Sequence, residues 1–197
     1  MLVFTTMPST KNRILRSALK LFSQKGYLGT TTKDISKEAG VAEVTLFRYF
    51  SSKEKLFIEV LKSQSFLPTL KDLLPSLREM EYRDALLTTA DYYLKLLRKK
   101  KDLICIMHTE MFQYPEEIRN IHSKIIEDVY DVFSSYLEFQ KKQGQIREDI
   151  DIRYASLSFF GMLFSLFIKK LILKKRIDIK KASKSCIEIF YEGTRRI

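Results

Sequence analysis

Residues 31–50 hold the chain's best candidates for a chemical role, because basic, hydroxyl and acidic side chains flank a tight Ala39-Gly40-Val41 turn. A helix-turn-helix needs a small residue where its two short helices touch, a glycine at positive φ and an apolar residue beneath. The second helix of such a motif enters the DNA major groove, while the first crosses the phosphate backbone. The pattern therefore predicts contact with phosphates and base edges.

The charge of the chain supports a polyanionic partner. The net charge is +11, and residues 1–56 hold ten Lys or Arg against four Asp or Glu. Just over a quarter of the sequence thus carries more than half of the excess positive charge. An anionic membrane surface could also attract such a chain, but the charge is concentrated around a groove-reading motif, which favours DNA.

Other chemistries find little support in the residues. The chain has two histidines and two distant cysteines, and it shows no zinc spacing, glycine-rich phosphate loop or nucleophile elbow. We therefore expect no enzyme activity, no metal and no cofactor. The amino terminus lacks a signal-peptide pattern, and the longest apolar stretch, residues 155–168, is shorter than the ~20 residues of a membrane span. These features predict a cytoplasmic protein without membrane contact.

Apolar periodicity predicts an all-α fold of about nine helices, without sustained strand alternation. Pro68 and Pro75 are expected to interrupt helicity between the first four helices and the rest. We predict a three-helix helix-turn-helix domain over residues 1–56 and a helical ligand-binding and dimerisation domain over residues 57–197. The predicted helices cover approximately residues 10–25, 42–49, 82–98, 101–113, 115–142, 152–174 and 178–195. A further short helix capped by Thr31 or Thr32 ends near Ala39, and a fourth helix is capped by Ser51 or Ser52.

A dense series of short motifs runs from Lys11 to Leu61. They are Ile14-Leu15-x-x-Ala18-x-x-Leu21-Phe22, Lys25-Gly26-Tyr27, Thr31-Thr32-x-x-Ile35, Ala39-Gly40-Val41, Thr45-Leu46-Phe47-x-Tyr49-Phe50 and Ser52-Lys53-Glu54-x-Leu56. This run resembles the DNA-binding domain of the TetR (tetracycline repressor) family. It departs from the family at Val44, where a small residue is frequent, and at Phe47, where tyrosine is frequent. The rest of the chain resembles the family only in layout.

Geometry and this resemblance together imply roles for individual side chains. Thr32, at the start of a helix, offers a hydroxyl and N–H groups to a phosphate. Lys33 and Arg48 are long enough for a guanine edge or a phosphate, Glu43 could accept from cytosine N4, and a thymine methyl could meet Val44. The remaining candidates are Thr45, Tyr49 and Lys53 for the DNA backbone and Phe47 for apolar contact. The alternative is that the charged groups are solvated and the others pack locally.

The helix predicted over residues 152–174 is apolar almost all the way round, so several of its faces must be covered. The resemblance implies that this helix and the helix at 178–195 form a four-helix interface with a second copy of the chain. A two-fold dimer is also what two reading heads on one duplex require. A purely intramolecular core is the alternative.

The middle helices are rich in tyrosine, phenylalanine and methionine, and the resemblance implies a ligand pocket between them. The residues predicted to line it are Tyr93, His108, Met111, Phe112 and Phe133. Such stripes are also typical of an ordinary core, and His108 could simply satisfy a core hydrogen bond. The acids Asp91, Glu110 and Asp131 lie nearby in sequence but are expected to face solvent, which favours a hydrophobic, neutral or acidic ligand over a cationic one.

The resemblance thus implies a homodimeric repressor that leaves a palindromic DNA operator when it binds a hydrophobic small-molecule effector. The alternative is a DNA-binding protein of the same fold without a small-molecule ligand, acting structurally or through a protein partner. A filled core without a cavity would favour the alternative.

Overall fold

The computed structural model of the protein describes residues 9–172 and 176–196, and these residues are almost entirely helical. The only β-type pairing among them is an isolated bridge between Ile146 and Arg195, so the predicted all-α fold is confirmed. A short 3-10 turn, Met111–Gln113, and a π-helical turn, Ile168–Ile172, accompany the α-helices. The α-helices are α1 (Thr10–Lys25), α2 (Thr32–Ala39), α3 (Glu43–Tyr49), α4 (Lys53–Gln64), α5 (Leu67–Glu79), α6 (Tyr82–Lys99), α7 (Lys101–Glu110), α8 (Glu116–Lys142), α9 (Ile152–Phe167) and α10 (Ile179–Thr194).

Side-chain caps explain where the first helices begin. The Ser9 hydroxyl accepts a hydrogen bond from the Asn12 backbone N–H at 3.3 Å, and Thr31 does the same for Asp34 at 3.1 Å. Each hydroxyl satisfies one of the backbone donors that a helix start leaves free. At the other end of α2, Gly40 adopts φ 64° and ψ 42°, the left-handed conformation that the turn requires.

The structure divides the chain into two compact units. The first, called the reading unit here, contains the chain up to Gln64 together with Asp102–His122. Its core forms beneath the helix-turn-helix, where the predicted anchors Ile35 and Leu46 are both fully buried. Large buried side chains on α1 and α4 also belong to this core: Ile14, Phe22, Leu56 and Phe57.

Helix α5 corrects the expectation that two prolines keep this segment from being helical. Pro68 lies in the first turn, where a backbone N–H has no helical partner in any case. Pro75 lies inside the helix, where it removes one hydrogen bond. Leu70 and Leu77, seven residues apart on one face, are fully buried, so tertiary packing of this stripe outweighs the cost of Pro75.

The second unit, called the regulatory unit here, contains Ser65–Lys101 and Ser123–Ile197. Its centre is α9, where Phe159, Phe160 and Leu163 are at most 1% exposed. Ile152–Leu171 is the one described helical stretch long and apolar enough to cross a membrane. A core helix meets the same measure, and α9 packs against α6 and α10. The predicted helix end at residues 173–174 lies outside the described residues.

Candidate nucleic-acid interface

Helix α3 combines one deep anchor with an exposed face. Leu46 is fully buried, whereas Val44, Phe47 and Tyr49 are 69%, 44% and 49% exposed. An exposed apolar cluster on a helix of only seven residues is costly in water and suggests a surface that is covered in a complex. Arg48 is also exposed. Much of the face predicted to read DNA is therefore exposed.

Two of the predicted DNA contacts bind each other. The Thr32 hydroxyl donates a hydrogen bond of 2.5 Å to Oε1 of Glu43, and both residues are half-buried. This bond joins the start of α2 to the start of α3, so it fixes where the Glu43 carboxylate lies relative to the turn. Lys33 is exposed and Thr45 is half-buried. DNA contact by these four side chains stays a prediction.

Lys53 does not extend into solvent as a phosphate-binding lysine would. Its ammonium donates to the backbone carbonyls of Tyr27 at 3.0 Å and Thr30 at 3.1 Å, and it lies 4.1 Å from the centre of the Tyr27 ring. The ammonium is half-buried, and this burial lowers the pKa of Lys53. These contacts hold the loop between α1 and α2.

We expect Lys53→Met to lower the free energy of unfolding by about 1–2 kcal/mol, because two charge-assisted hydrogen bonds in a half-exposed site are lost. Urea unfolding measures this change. If the lysine also touches a phosphate, the salt slope of DNA binding falls by about one unit in the variant. Lys33→Met is the matched control, since Lys33 is exposed on α2, and it should leave stability within ~0.5 kcal/mol.

Tyr27 is the centre of the loop that Lys53 holds. The residue is 3% exposed, and its hydroxyl donates to Oε1 of Glu54 at 2.6 Å. Burial raises the pKa of the Tyr27 hydroxyl, and the hydrogen bond from it lowers the pKa of Glu54. The phenol therefore stays protonated and the carboxylate stays ionised near neutral pH, the pair of states that this hydrogen bond needs.

Glu110, at the end of α7, completes the site from a distant part of the chain. Its Oε2 accepts hydrogen bonds from the Tyr27 backbone N–H at 3.0 Å and from the Tyr114 hydroxyl at 3.1 Å. Gly26 adopts φ 76°, and a Cβ built there would lie 2.0 Å from Oε1 of Glu110. We call the five residues Gly26, Tyr27, Lys53, Glu54 and Glu110 the Tyr27 joint.

An aromatic cluster packs around the joint. The rings of Phe22, Tyr27, Phe57 and Tyr114 have neighbouring centroids 4.7–6.1 Å apart, mostly edge to face. The sequence indicated that Glu110 faces solvent, and this expectation was wrong because the carboxylate is bound at the joint. The Lys25-Gly26-Tyr27 motif in the sequence contains two residues of the joint, Gly26 and Tyr27. Nothing in the sequence pointed to a partner 83 residues away.

The residues predicted to line a ligand pocket belong to two units. In the regulatory unit, Tyr93 and Phe133 lie 4.9 and 5.1 Å from the Phe160 ring, between ring centroids. Phe133 is fully buried in that aromatic cluster, which fits a packed core. The other three, His108, Met111 and Phe112, belong to the reading unit, and Phe112 is 91% exposed. A ligand-binding role for all five stays a prediction.

Both parts of the chain match families of known proteins. A family model described as bacterial regulatory proteins, tetR family, matches residues 14–60. A second, described as the C-terminal region of YsiA-like proteins, matches residues 59–193. The HTH-type transcriptional regulator YvkB of Bacillus subtilis is 31% identical over 171 residues, which cover 87% of this chain and 88% of that protein.

Proteins of fatty acid metabolism recur among the relatives. The fatty acid metabolism regulator protein of Bacillus subtilis is 23% identical over 183 residues, covering 92% of this chain and 93% of that protein. The structure of FadR from Bacillus subtilis in complex with stearoyl-CoA superposes with a TM-score of 0.75 at 22% identity, covering 92% of this chain and 97% of the other. FadR from Bacillus halodurans gives 0.78 at 19% identity, covering 96% and 98%. These structures share the fold.

Proposed function

The chain belongs to the TetR family of bacterial regulatory proteins, and we propose that it is a dimeric repressor released from a palindromic operator by a hydrophobic small molecule. As a member of this family it is a DNA-binding transcription regulator and not an enzyme. The observation that carries the proposal is the exposed face of α3, which rests on one buried leucine and presents Arg48 beside apolar side chains. The cytoplasm, where the genome lies, is the compartment that this role requires.

Base reading is tested by replacing one side chain at a time. We expect Arg48→Ala and Glu43→Ala each to relax preference at one base pair per half-site, at a cost of about 1–3 kcal/mol against the best site. Loss of the Glu43 carboxylate also removes repulsion of phosphates, so affinity for unrelated DNA should rise. Binding isotherms over operator variants, selected first from random DNA with the purified protein, measure both effects at several salt concentrations.

Lys33→Ala is the comparison for these variants, because an exposed lysine that touches a phosphate affects all sequences alike. Equal weakening of every operator variant by Arg48→Ala and Glu43→Ala would show that neither side chain reads a base.

A fatty acyl thioester is the first effector to test. The support is the ligand of one structural neighbour, stearoyl-CoA, and the role of a relative as a regulator of fatty acid metabolism. The alternative function, DNA binding without a small-molecule ligand, predicts that no acyl compound alters operator binding. An apolar cavity in the regulatory unit, described below, favours the ligand-responsive form.

Response to the effector needs a connection between the units, and the chain supplies it in α8. The helix contributes its first residues, as far as His122, to the reading unit and the remainder to the regulatory unit. We propose that an effector moves this helix and the Tyr27 joint beside its start, and so changes the separation of the two reading heads. Heads on successive major-groove faces must lie roughly 34–36 Å apart, or a multiple of this.

The coupling has a measurable size. We expect stearoyl-CoA to bind the free protein about 5- to 150-fold more tightly than the operator complex, the range that corresponds to typical coupling free energies of ~1–3 kcal/mol. Calorimetric titration of the acyl thioester into protein with and without saturating operator gives the two affinities. Identical affinities would show that this ligand does not act on DNA binding.

A further inference from the structure

A cavity of about 630 Å³ opens in the regulatory unit between α6, the π-helical turn and the first half of α10. Its volume lies within the roughly 300–1,000 Å³ of small-molecule sites. The side chains at its base are apolar and at most 7% exposed: Ala90, Leu94, Phe167 and Ile187. None of these residues belongs to the pocket that the sequence predicted, so the cavity is a separate feature of the structure.

Positive charge surrounds the opening. Four basic residues line the cavity, Arg98, Lys170, Lys180 and Lys184, against two acids. Both acids have partners: Asp91 pairs with Lys95 at 2.6 Å, and Asp178 accepts from the Lys181 backbone N–H at 3.1 Å as the cap of α10. The rim therefore has an excess of positive charge that the residues lining it do not neutralise.

None of the four cations forms an ion pair with an acidic side chain among the residues that the structure describes. Lys170 donates to the Ile177 carbonyl at 3.0 Å. Arg98 and Lys184 form no described ion pair, and the carboxylate near Lys184, Glu188, is held by a bidentate bond from Arg83. Two exposed cations above an apolar floor fit a ligand with one anionic end and one hydrocarbon end.

One basic segment of the sequence begins at this cavity. Arg98-Lys99-Lys100-Lys101 begins at the cavity rim, at the end of α6, and burial together with neighbouring Lys99 lowers the pKa of Lys100 to about 8. The π-helical turn supplies Lys170 and Leu171 to the wall, and such turns are frequent at functional sites.

We propose that this cavity binds a long-chain amphipathic acid, with its hydrocarbon chain on Leu94, Phe167 and Ile187 and its anionic head between Arg98 and Lys184. The evidence that the acid binds comes from the regulatory unit alone. Its use as an effector site rests on the proposed function, because only a repressor can be released by it.

Laurate is a suitable probe, because its twelve-carbon chain is soluble enough for calorimetric titration into the intact dimer. We expect one laurate per chain and at least tenfold weaker binding of dodecanol, which has the same chain without the charge. Arg98→Gln and Lys184→Gln should each weaken laurate about fivefold, the effect of losing one exposed ion pair, and should leave dodecanol unchanged. Lys181→Gln is the matched control, since Lys181 is equally exposed on α10 but does not line the cavity.

A steric variant tests the chain-binding part. Ser183 is half-buried and lines the cavity, and the protein has no tryptophan, so Ser183→Trp both fills the space and supplies a unique fluorophore. We expect it to weaken laurate at least tenfold while the circular dichroism spectrum stays unchanged. Equal binding of laurate and dodecanol, or equal loss in Lys181→Gln and Lys184→Gln, would overturn the head-group assignment. No laurate binding, or binding only to phosphatidylglycerol vesicles, would overturn the site.

The failure of regulation gives a different result from the failure of binding. Laurate that binds with the expected dependence on Arg98 and Lys184, but leaves operator affinity unchanged, supports the site and contradicts its role as effector. If the wild-type protein without any ligand does not bind an operator, the repressor proposal is contradicted. The laurate titration still tests the binding site in that case.

Discussion

Ile189→Glu is expected to convert the protein from a dimer to a monomer and to weaken operator binding by at least about 100-fold. The side chain is 69% exposed on α10, and Tyr154 and Leu157 on α9 are 66% and 46% exposed. Apolar side chains exposed on these two helices fit the four-helix interface that the sequence predicts. A carboxylate placed there would be buried without a partner when two copies meet.

The loss of DNA affinity follows from the loss of the second reading head. When two heads are joined, binding of the first places the second at a high effective concentration over its half-site, which contributes about 10²–10⁴ in affinity. Light scattering should give about twice the 23.3 kDa chain mass for the wild type and the single mass for the variant. Isotherms on the selected operator measure the affinity.

Met80→Glu is the control for the dimer variant. Met80 is also apolar and exposed, at 38%, but it follows α5 and belongs to neither α9 nor α10. We expect it to remain dimeric and to bind the operator like the wild type. A dimeric Ile189→Glu protein would show that the subunits associate through another surface, and a wild-type monomer with tight operator binding would contradict the dimer altogether.

Gly26→Ala is expected to lower the free energy of unfolding by about 3 kcal/mol or more and to remove most operator binding. Gly26 adopts φ 76° and ψ 175°, a conformation essentially confined to glycine that costs other residues about 1–3 kcal/mol. The new methyl group would also displace Glu110, which leaves the buried Tyr27 N–H without its acceptor at a further cost of about 1–3 kcal/mol.

Gly40→Ala is the matched control, because Gly40 also has positive φ but a Cβ there meets no atom within 4 Å. Only the left-handed conformation is then penalised, by about 1–2 kcal/mol. Urea unfolding of both variants gives the difference. It is measured at one protein concentration, since in the proposed dimer stability depends on concentration. Similar losses in the two variants would show that the contact with Glu110 adds nothing.

A double-mutant cycle with Glu110→Ala separates backbone strain from the displaced carboxylate. Because Gly26 and Glu110 are in contact, their effects should not add. In the Glu110→Ala background, Gly26→Ala should cost at least about 1 kcal/mol less than in the wild type, since no carboxylate remains to be displaced. If the losses in unfolding free energy of the two single variants add up in the double variant, the whole effect of Gly26→Ala comes from backbone strain.

The sequence by itself determined the all-α fold, the helix-turn-helix and the approximate borders of the first three helices. These features depend on residues close together in the chain: Thr31 capping α2, Gly40 in the turn, and Ile35 and Leu46 spaced to meet beneath it. Local hydrogen bonds and apolar periodicity leave a direct trace in the order of residues, which is why they could be predicted.

Only the tertiary structure decided which groups meet across long intervals of sequence. Burial of Leu70 and Leu77 on α5 outweighs the helix-breaking effect of Pro75 in the same helix. The ammonium of Lys53 donates to two carbonyls of the reading unit instead of extending into solvent. Glu110 looked like a solvated acid in the sequence, yet it binds the Tyr27 N–H. The free energy of a buried hydrogen bond depends on the partner that the fold supplies, and a residue 83 positions away carries no local signal of it.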